Sequence, residues 1–167
     1  MSRVGPELLG QVYAQQGAAL VLYARQWCDV PEDVVQESLL KLARQASVPE
    51  NLLPWLYRVV RNGAVSAGRA AGRRRKYESR AAGREWFSPD PAAAMDGQAA
   101  AQAIETLPVA EREVLVARLW GGLTFAEIAV LIEATDSTAQ RRYESALNAL
   151  RERLGVPCPN RDNPKTS

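Results

Sequence analysis

The chain of 167 residues contains no histidine and only two cysteines. Without histidine, Cys28 and Cys158 cannot assemble a usual zinc site, and they form no C-x-x-C pair. We therefore expect two reduced thiols, no metal and a reducing compartment. The sequence also shows no phosphate-cradling glycine loop and no paired catalytic constellation, so we do not expect an enzyme or a cofactor.

Long apolar runs are missing as well. No stretch approaches the roughly eighteen uninterrupted apolar residues that a membrane span needs. The N-terminus, M-S-R-V-G-P-E-L-L-G, lacks a basic region followed by an apolar run, so no signal peptide is indicated. These features predict a cytoplasmic protein with no membrane partner. The length suits one ordinary domain or two small ones.

Charge is present in two separate blocks, although the formal net charge is only +2. Residues 29–37 hold four acidic side chains and no basic one, a local charge of −4. Residues 58–84 hold nine basic side chains against one acidic one, a local charge of +8. This distribution predicts a polyanion as one partner and a basic protein surface as another. The alternatives are an ordinary amphipathic helix with an acidic first turn and a solvated basic face or tail.

The N-terminal half predicts three helical regions. The first covers residues 6–27, with Gly17 as a candidate break and Leu8, Leu9, Val12, Tyr13, Leu20, Leu22 and Tyr23 as core positions. The second follows Pro31 and turns Val34, Val35, Ser38, Leu39 and Leu42 inward. The third is opened by Pro54, and Gly63, Gly68 and Gly72 weaken it by up to about 1 kcal/mol each.

The C-terminal half, Leu107 to Leu154, predicts a helix-turn-helix. Its apolar-periodic stretches are separated by tight breaks at Gly121-Gly122 and Ala134-Thr135. Thr124 and Glu127 have the spacing of a capping box, and Thr135 is the next candidate N-cap. The last helix turns Ala139, Tyr143, Ala146, Leu147, Leu150 and Leu154 inward and presents Gln140, Arg141, Glu144, Ser145 and Asn148 outward. A purely structural bundle is the alternative.

This segment resembles region 4 of bacterial sigma factors of the sigma-70 family, in particular the extracytoplasmic-function (ECF) type. The matching positions are Leu107-Pro108, Arg112, Val114, Gly122-Leu123-Thr124, Glu127-Ile128-Ala129, Thr138, Arg142, Ala146-Leu147 and Leu150-Arg151. The resemblance implies −35 promoter contacts by Thr124, Asp136, Ser137, Thr138, Gln140, Arg141, Arg142 and Ser145. The chain departs from the family at Glu133, where a glycine is usual, and at Gln140, Glu144 and Ser145, which stand at positions that are often basic.

The N-terminal half resembles region 2 of the same family. By that resemblance, the E-D-V-V-Q-E segment docks on the β′ clamp coiled coil of core RNA polymerase through Asp33, Gln36 and Glu37. The W-L-Y-R-V-V-R-N segment matches the helices that melt and recognise the −10 element, after a loop at residues 47–53 for a flipped base. The implied DNA contacts are Asn51, Trp55, Arg58, Arg61, Asn62, Arg69, Arg73, Arg74 and Arg75. Ser66 stands where the family commonly has an aspartate.

Together these features predict an all-α protein of two small helical domains joined by a flexible linker. Residues 1–76 form the region 2-like domain, 77–98 the linker, 99–156 the region 4-like domain and 157–167 a disordered tail. Pro89 and Pro91 forbid a continuous helix in the linker, where Trp86-Phe87 either enters the polymerase channel or packs on one domain.

The leading hypothesis is a transcription initiation factor that binds core RNA polymerase at its β′ clamp coiled coil and β flap and melts promoter DNA. An anti-sigma protein is a further partner that the resemblance allows. One alternative is a sigma-like mimic that binds an anti-sigma protein but not DNA. Another is a free-standing helix-turn-helix regulator, which the polymerase-facing acidic and arginine-rich segments disfavour.

Overall fold

The computed structural model describes residues 3–75 and 102–155. It contains helices α1 (Pro6–Ala24), α2 (Pro31–Ala43), α3 (Leu52–Arg75), α4 (Val109–Leu119), α5 (Phe125–Leu131) and α6 (Asp136–Leu154). Residues 102–105 are also helical, and neither described range contains a strand. The all-α fold class is confirmed. The predicted linker and tail, with Cys158 and Trp86-Phe87, lie outside the described residues.

Helices α1, α2 and α3 pack against one another in the N-terminal half. Leu20, Val35 and Leu56 are fully buried between them, and the Ser38 hydroxyl is buried and donates to the Val34 carbonyl oxygen at 2.7 Å. Tyr13 is an exception to the predicted core, because 58% of its surface is exposed. The predicted core is otherwise buried or half-buried.

Two predictions about helix boundaries in this half were wrong. Gly17 does not break α1, which continues to Ala24 with the Tyr13 ring packed beside Gly17. Pro54 does not open α3, which begins at Leu52. Pro54 falls in the first turn instead, where its missing N–H group has no intrahelical partner to lose.

The glycines of α3 allow close packing. A Cβ atom at Gly68 would collide with the carbonyl oxygen of Trp27, in the turn after α1. At Gly63 it would lie 3.1 Å from a methyl group of Val34 on α2. The intrinsic cost of glycine in a helix is thus offset by the approach of α3 to its neighbours.

The C-terminal half contains the predicted helix-turn-helix. The Thr124 N–H donates to Glu127 Oε2 at 2.7 Å, and the Glu127 N–H donates to Thr124 Oγ1 at 3.2 Å, which completes a capping box before α5. The Thr138 N–H donates to Thr135 Oγ1 at 3.2 Å, so Thr135 caps α6. Both predicted caps are confirmed.

The inner face of α6 is only partly as predicted. Ala139 and Ala146 are buried, and Tyr143, Leu147 and Leu150 are half-buried against the core. Leu154 was predicted to be inward but is 42% exposed, because it lies in the last turn before the left-handed Gly155.

The two halves share a hydrophobic core. Helix α1 packs against α4, and α3 packs against α5. The continuous set of buried apolar side chains includes Tyr23 and Tyr57 from the first half and Leu115 and Ile128 from the second. This contact brings the helix-turn-helix onto the helix that was predicted to bind the −10 element.

Candidate nucleic-acid interface

The predicted polymerase-docking residues lie together on α2. Asp33, Gln36 and Glu37 are all exposed, while Val34 and Val35 face the core. Negative charge in the first turn interacts favourably with the N-terminal end of the helix dipole. The result is an exposed acidic surface on a helix whose other face is packed into the core.

An open groove of about 450 Å³ runs along the second half of α3. It is lined by Arg61, Asn62, Val65, Ser66, Arg69 and Arg73. Asn62, Arg69 and Arg73 are exposed there, and so is Arg74 beyond the groove; the side chain of Arg75 lies outside the described residues. Positively charged and amide side chains along one groove suit a single nucleic-acid strand.

At the start of α3, Asn51 is exposed, and its carbonyl oxygen accepts the Trp55 N–H at 3.0 Å. The Trp55 ring is half-buried against the hydrophobic core. The backbone of this predicted base-binding region is therefore fixed by the helix start.

Two of the predicted DNA-contacting arginines also contact the C-terminal half. The Arg58 guanidinium donates to the Val130 carbonyl oxygen at 2.7 Å. Arg61 Nε donates to Glu113 Oε1 at 2.6 Å, and its guanidinium lies 5.6 Å from the centre of the Trp27 ring. Arg58 is nevertheless exposed, and Arg61, with 34% of its side chain exposed, also lines the groove along α3.

On α6, the outward face includes the exposed side chains of Asp136, Ser137, Gln140 and Arg141. These residues occupy the first turns of the second helix of the motif, the part that enters a major groove in helix-turn-helix proteins.

The side chains of four other residues predicted to contact the −35 element are already hydrogen-bonded within the protein or are half-buried. Thr124 is exposed, but its hydroxyl caps α5. The Thr138 hydroxyl lies 2.9 Å from that of Thr135, and Arg142 is half-buried. Ser145 donates to Glu111 Oε1 on α4 at 2.8 Å.

Glu113 was not singled out from the sequence, yet it joins the two halves. Its side chain is 5% exposed, and Oε1 accepts from the Tyr23 hydroxyl at 2.7 Å as well as from Arg61. The sequence did contain a signal for this residue. Val116 and Ala117, three and four residues later on the same helix, are apolar and buried, so Glu113 lies on the buried face of α4. Its partners lie 52 and 90 residues away in sequence.

The protonation states of Tyr23 and Arg61 follow from their contact with Glu113. Burial raises the pKa of Tyr23 well above its usual value, and the charge of Glu113 raises it further. Burial on its own would lower the pKa of Arg61, but the hydrogen bond and charge of Glu113, with a contribution from Glu133, raise it. Tyr23 is thus held as a neutral donor and Arg61 as a cation.

Across the part of the chain that the structure describes, no three metal-binding side chains lie together. No helix within residues 3–75 and 102–155 is both long and apolar enough to cross a bilayer.

The family of sigma-70, region 4, matches residues 97–150. The chain is 26% identical over 131 residues to the ECF RNA polymerase sigma factor SigD of Mycobacterium tuberculosis (strain H37Rv) and of Mycobacterium bovis. The aligned part covers 75% of this chain and 62% of the length of each relative.

Two solved structures are similar. The sigma factor RpoE of Bartonella quintana, in complex with the anti-sigma factor NepR, has a TM-score of 0.67 and 25% identity, with 91% of this chain and 99% of that chain covered. CnrH in complex with the cytosolic domain of CnrY has a TM-score of 0.60 and 21% identity, with 90% of each chain covered, and shares the fold.

Proposed function

Because the chain belongs to the sigma-70 family, as a member of its ECF group, we propose that it binds core RNA polymerase and directs it to promoters with −10 and −35 elements. The observation that carries this proposal is the combination of three surfaces in one chain: acidic α2, the basic groove of α3 and the outward face of α6. In this proposal the polymerase performs the chemistry, and the chain supplies recognition and strand separation.

Docking on the β′ clamp coiled coil is assigned to Asp33, Gln36 and Glu37. The three side chains are exposed on one helix whose other face is buried, which suits a charged contact with a basic protein surface. The C-terminal half would contact the β flap. Because both elements belong to core RNA polymerase, the proposal implies a cytoplasmic protein.

Promoter melting is assigned to α3. The groove that contains Asn62, Arg69 and Arg73 would hold the freed non-template strand, because basic side chains follow a phosphate backbone without reading bases. Asn51 and Trp55 would contact the unstacked base, and Arg74 and Arg75 would extend the positive charge beyond the groove.

Recognition of the −35 element is assigned to α6. Gln140 and Arg141 are exposed on its outward face, where an amide suits adenine and a guanidinium suits guanine in the major groove. Because Gln140 and Glu144 replace commonly basic residues, phosphate attraction contributes less here than the base edges do.

An anti-sigma protein is proposed as a regulatory partner. The support is the similarity to RpoE over nearly the full length of both chains, since that protein was solved in complex with the anti-sigma factor NepR. Residues 1–76 and 99–156 would be the two domains that such a partner engages.

Association with core polymerase tests the proposal. The chain is expected to co-elute with core polymerase, and the double variant Asp33→Arg/Glu37→Arg is expected to bind about tenfold more weakly, because two attractive charges become repulsive. Glu7→Arg/Glu152→Arg makes the same change of net charge at exposed sites on α1 and α6 and should bind normally. A wild-type chain that does not co-elute would contradict the proposal, and normal binding by the α2 variant would contradict the docking site.

A further inference from the structure

An acidic side chain lies in the middle of the outward face of α6. Gln140, Arg141 and Glu144 are all exposed, and at about 100° per residue they span an arc of about 100° around the helix. Glu144 lies between the other two on this arc, and the buried Ala139 and Ala146 lie on the opposite side of the helix. Any duplex that Gln140 and Arg141 contact would therefore also meet the carboxylate of Glu144.

The carboxylate of Glu144 has no partner among residues 3–75 and 102–155, where neither it nor the guanidinium of Arg141 makes a hydrogen bond or an ion pair. Arg141 is only three residues away along α6, a spacing at which opposite charges can pair on a helix. Because the two groups stay separate, both are available to an external partner. An ionised carboxylate only accepts hydrogen bonds, so the partner of Glu144 must be a donor.

Two contacts fix the rotation of α6 about its own axis. The Tyr143 ring packs edge-on against the Phe125 ring of α5, with the ring centres 5.4 Å apart. The Ser145 hydroxyl donates to Glu111 Oε1 on α4 at 2.8 Å. These contacts involve the residues directly before and after Glu144, so they hold its backbone at a set angle to α4 and α5. The outward direction of Glu144 is therefore fixed before DNA binds.

The phosphate backbone repels a carboxylate, so Glu144 does not add to the general attraction of the protein for DNA. The base edges in the major groove offer a different partner. The amino group of cytosine donates a hydrogen bond there that glutamate accepts, whereas arginine pairs with guanine and glutamine with adenine. Adenine also presents an amino group, but beside an N7 acceptor that repels the second carboxylate oxygen. The repulsion by the phosphates is thus offset best at a cytosine.

We propose that Glu144 recognises a cytosine in the −35 element and determines the base preference at that position. The proposal rests on the function proposed above, because α6 must enter the major groove. Glu144 lies three residues after Arg141, about 4.5 Å farther along the helix axis, and neighbouring base pairs are about 3.4 Å apart. The cytosine thus lies in the base pair next to the one that Arg141 contacts.

The test uses holoenzyme reconstituted from core polymerase and the full chain, with a duplex library randomised over the upstream promoter element. The sequences that each holoenzyme retains are compared between the wild-type chain and its variants. Glu144→Ala removes the carboxylate, and Arg141→Ala marks the neighbouring base pair. Glu152→Ala is the matched control, because it removes an exposed carboxylate from the same helix about two turns farther on.

We expect the wild-type holoenzyme to retain sequences with cytosine at one position, next to the base pair at which Arg141→Ala loses its preference. Glu144→Ala should lose about tenfold of the discrimination for cytosine at that position, and Glu152→Ala should keep it. Binding of Glu144→Ala to a duplex with a scrambled upstream element should rise, because a repulsive charge is gone. A variant that had merely lost structure would bind both duplexes more weakly.

An upstream element shared by the wild type and Glu144→Ala, with the same base preferences at every position, would overturn the role of Glu144 and leave the proposed function standing. A wild-type element without a cytosine beside the base pair of Arg141 would do the same. Failure of the wild-type holoenzyme to retain any shared upstream element would contradict the proposed function itself, and the recognition of cytosine with it.

Discussion

At the scale of single residues, the carboxylate of Glu113 holds the most consequential position. It is nearly inaccessible to water and accepts hydrogen bonds from a tyrosine on α1 and an arginine on α3. Helix α4 could have placed an apolar side chain here, and buried ion pairs can often be replaced by apolar groups without loss of stability.

Glu133 allows a prediction about backbone strain. Glu133→Gly and Glu133→Gln both remove a charge that helps to raise the pKa of Arg61, but only glycine relieves the left-handed conformation at φ +55°. Glu133→Gly is therefore expected to be more stable than Glu133→Gln by about 1 kcal/mol in urea unfolding. Equal free energies of unfolding would show that the turn bears no strain.

Tyr23 and Tyr57 allow a prediction about pH. Burial raises the pKa of both hydroxyls above the ordinary value of 10.0, so above that pH the unfolded chain loses protons that the folded chain keeps. The stability due to each group is complete below pH 10 and is lost as the pH rises towards its folded pKa, at about 1.4 kcal/mol per pH unit.

The alkaline slope should be smaller in Tyr23→Phe than in the wild-type chain, by an amount that approaches about 1.4 kcal/mol per pH unit towards pH 11, because one of the two buried hydroxyls is gone. Denaturant unfolding between about pH 9.5 and 11 measures this slope. An identical slope in the variant would mean that Tyr23 is not buried as a neutral group.

At the scale of the elements, α3 matters most, because it carries the proposed DNA groove and also joins α1, α2 and α5. Glycines allow α3 to pack closely against these helices, but not every glycine of α3 lies at a close contact. Gly68 meets the backbone of the turn after α1, whereas a Cβ atom at Gly72 would contact nothing within 4 Å. The two glycines thus form a natural pair for substitution.

Gly68→Ala is expected to destabilise the chain by about 2 kcal/mol or more, because its methyl group would meet a carbonyl oxygen that cannot move aside cheaply. Gly72→Ala should stabilise it by up to about 1 kcal/mol through helix propensity alone. Thermal or urea unfolding of the two variants compares them directly. Gly68→Ala with wild-type stability would contradict the packing of α3 described here.

Helix α6 allows a prediction about promoter recognition. Arg141 is exposed on the outward face, whereas Arg142 is half-buried. Arg141→Ala should reduce transcription from a promoter with a −35 element by the equivalent of about 1–3 kcal/mol if it contacts a base, with binding to core polymerase unchanged. Arg142→Ala should have a smaller effect, and equal promoter use by the Arg141 variant and the wild type would remove this assignment.

Local signals in the sequence predicted the elements well. The Thr124–Glu127 box, the Thr135 cap and the inner stripe of α2 depend on residues within one or two turns, and all three are confirmed. The contacts of Glu113 could not be predicted in the same way, because its partners are 52 and 90 residues distant. Helical periodicity indicates that a face is buried but does not indicate which other element covers it.

At the scale of the whole molecule, opposite charges occupy separate helices of one half. Helices α2 and α3 pack against each other, but the exposed side chains of α2 are mainly acidic and those of α3 are mainly basic. Asp33, Gln36 and Glu37 are exposed on α2, and Arg69 and Arg73 are exposed on α3.

The most direct measurement is run-off transcription by purified core polymerase on a library of promoter fragments, with and without the chain. The account predicts specific transcripts that appear only when the chain is added and whose start sites share two upstream elements. Binding to core polymerase without any such transcript would contradict the account, as would transcripts that are the same in its absence.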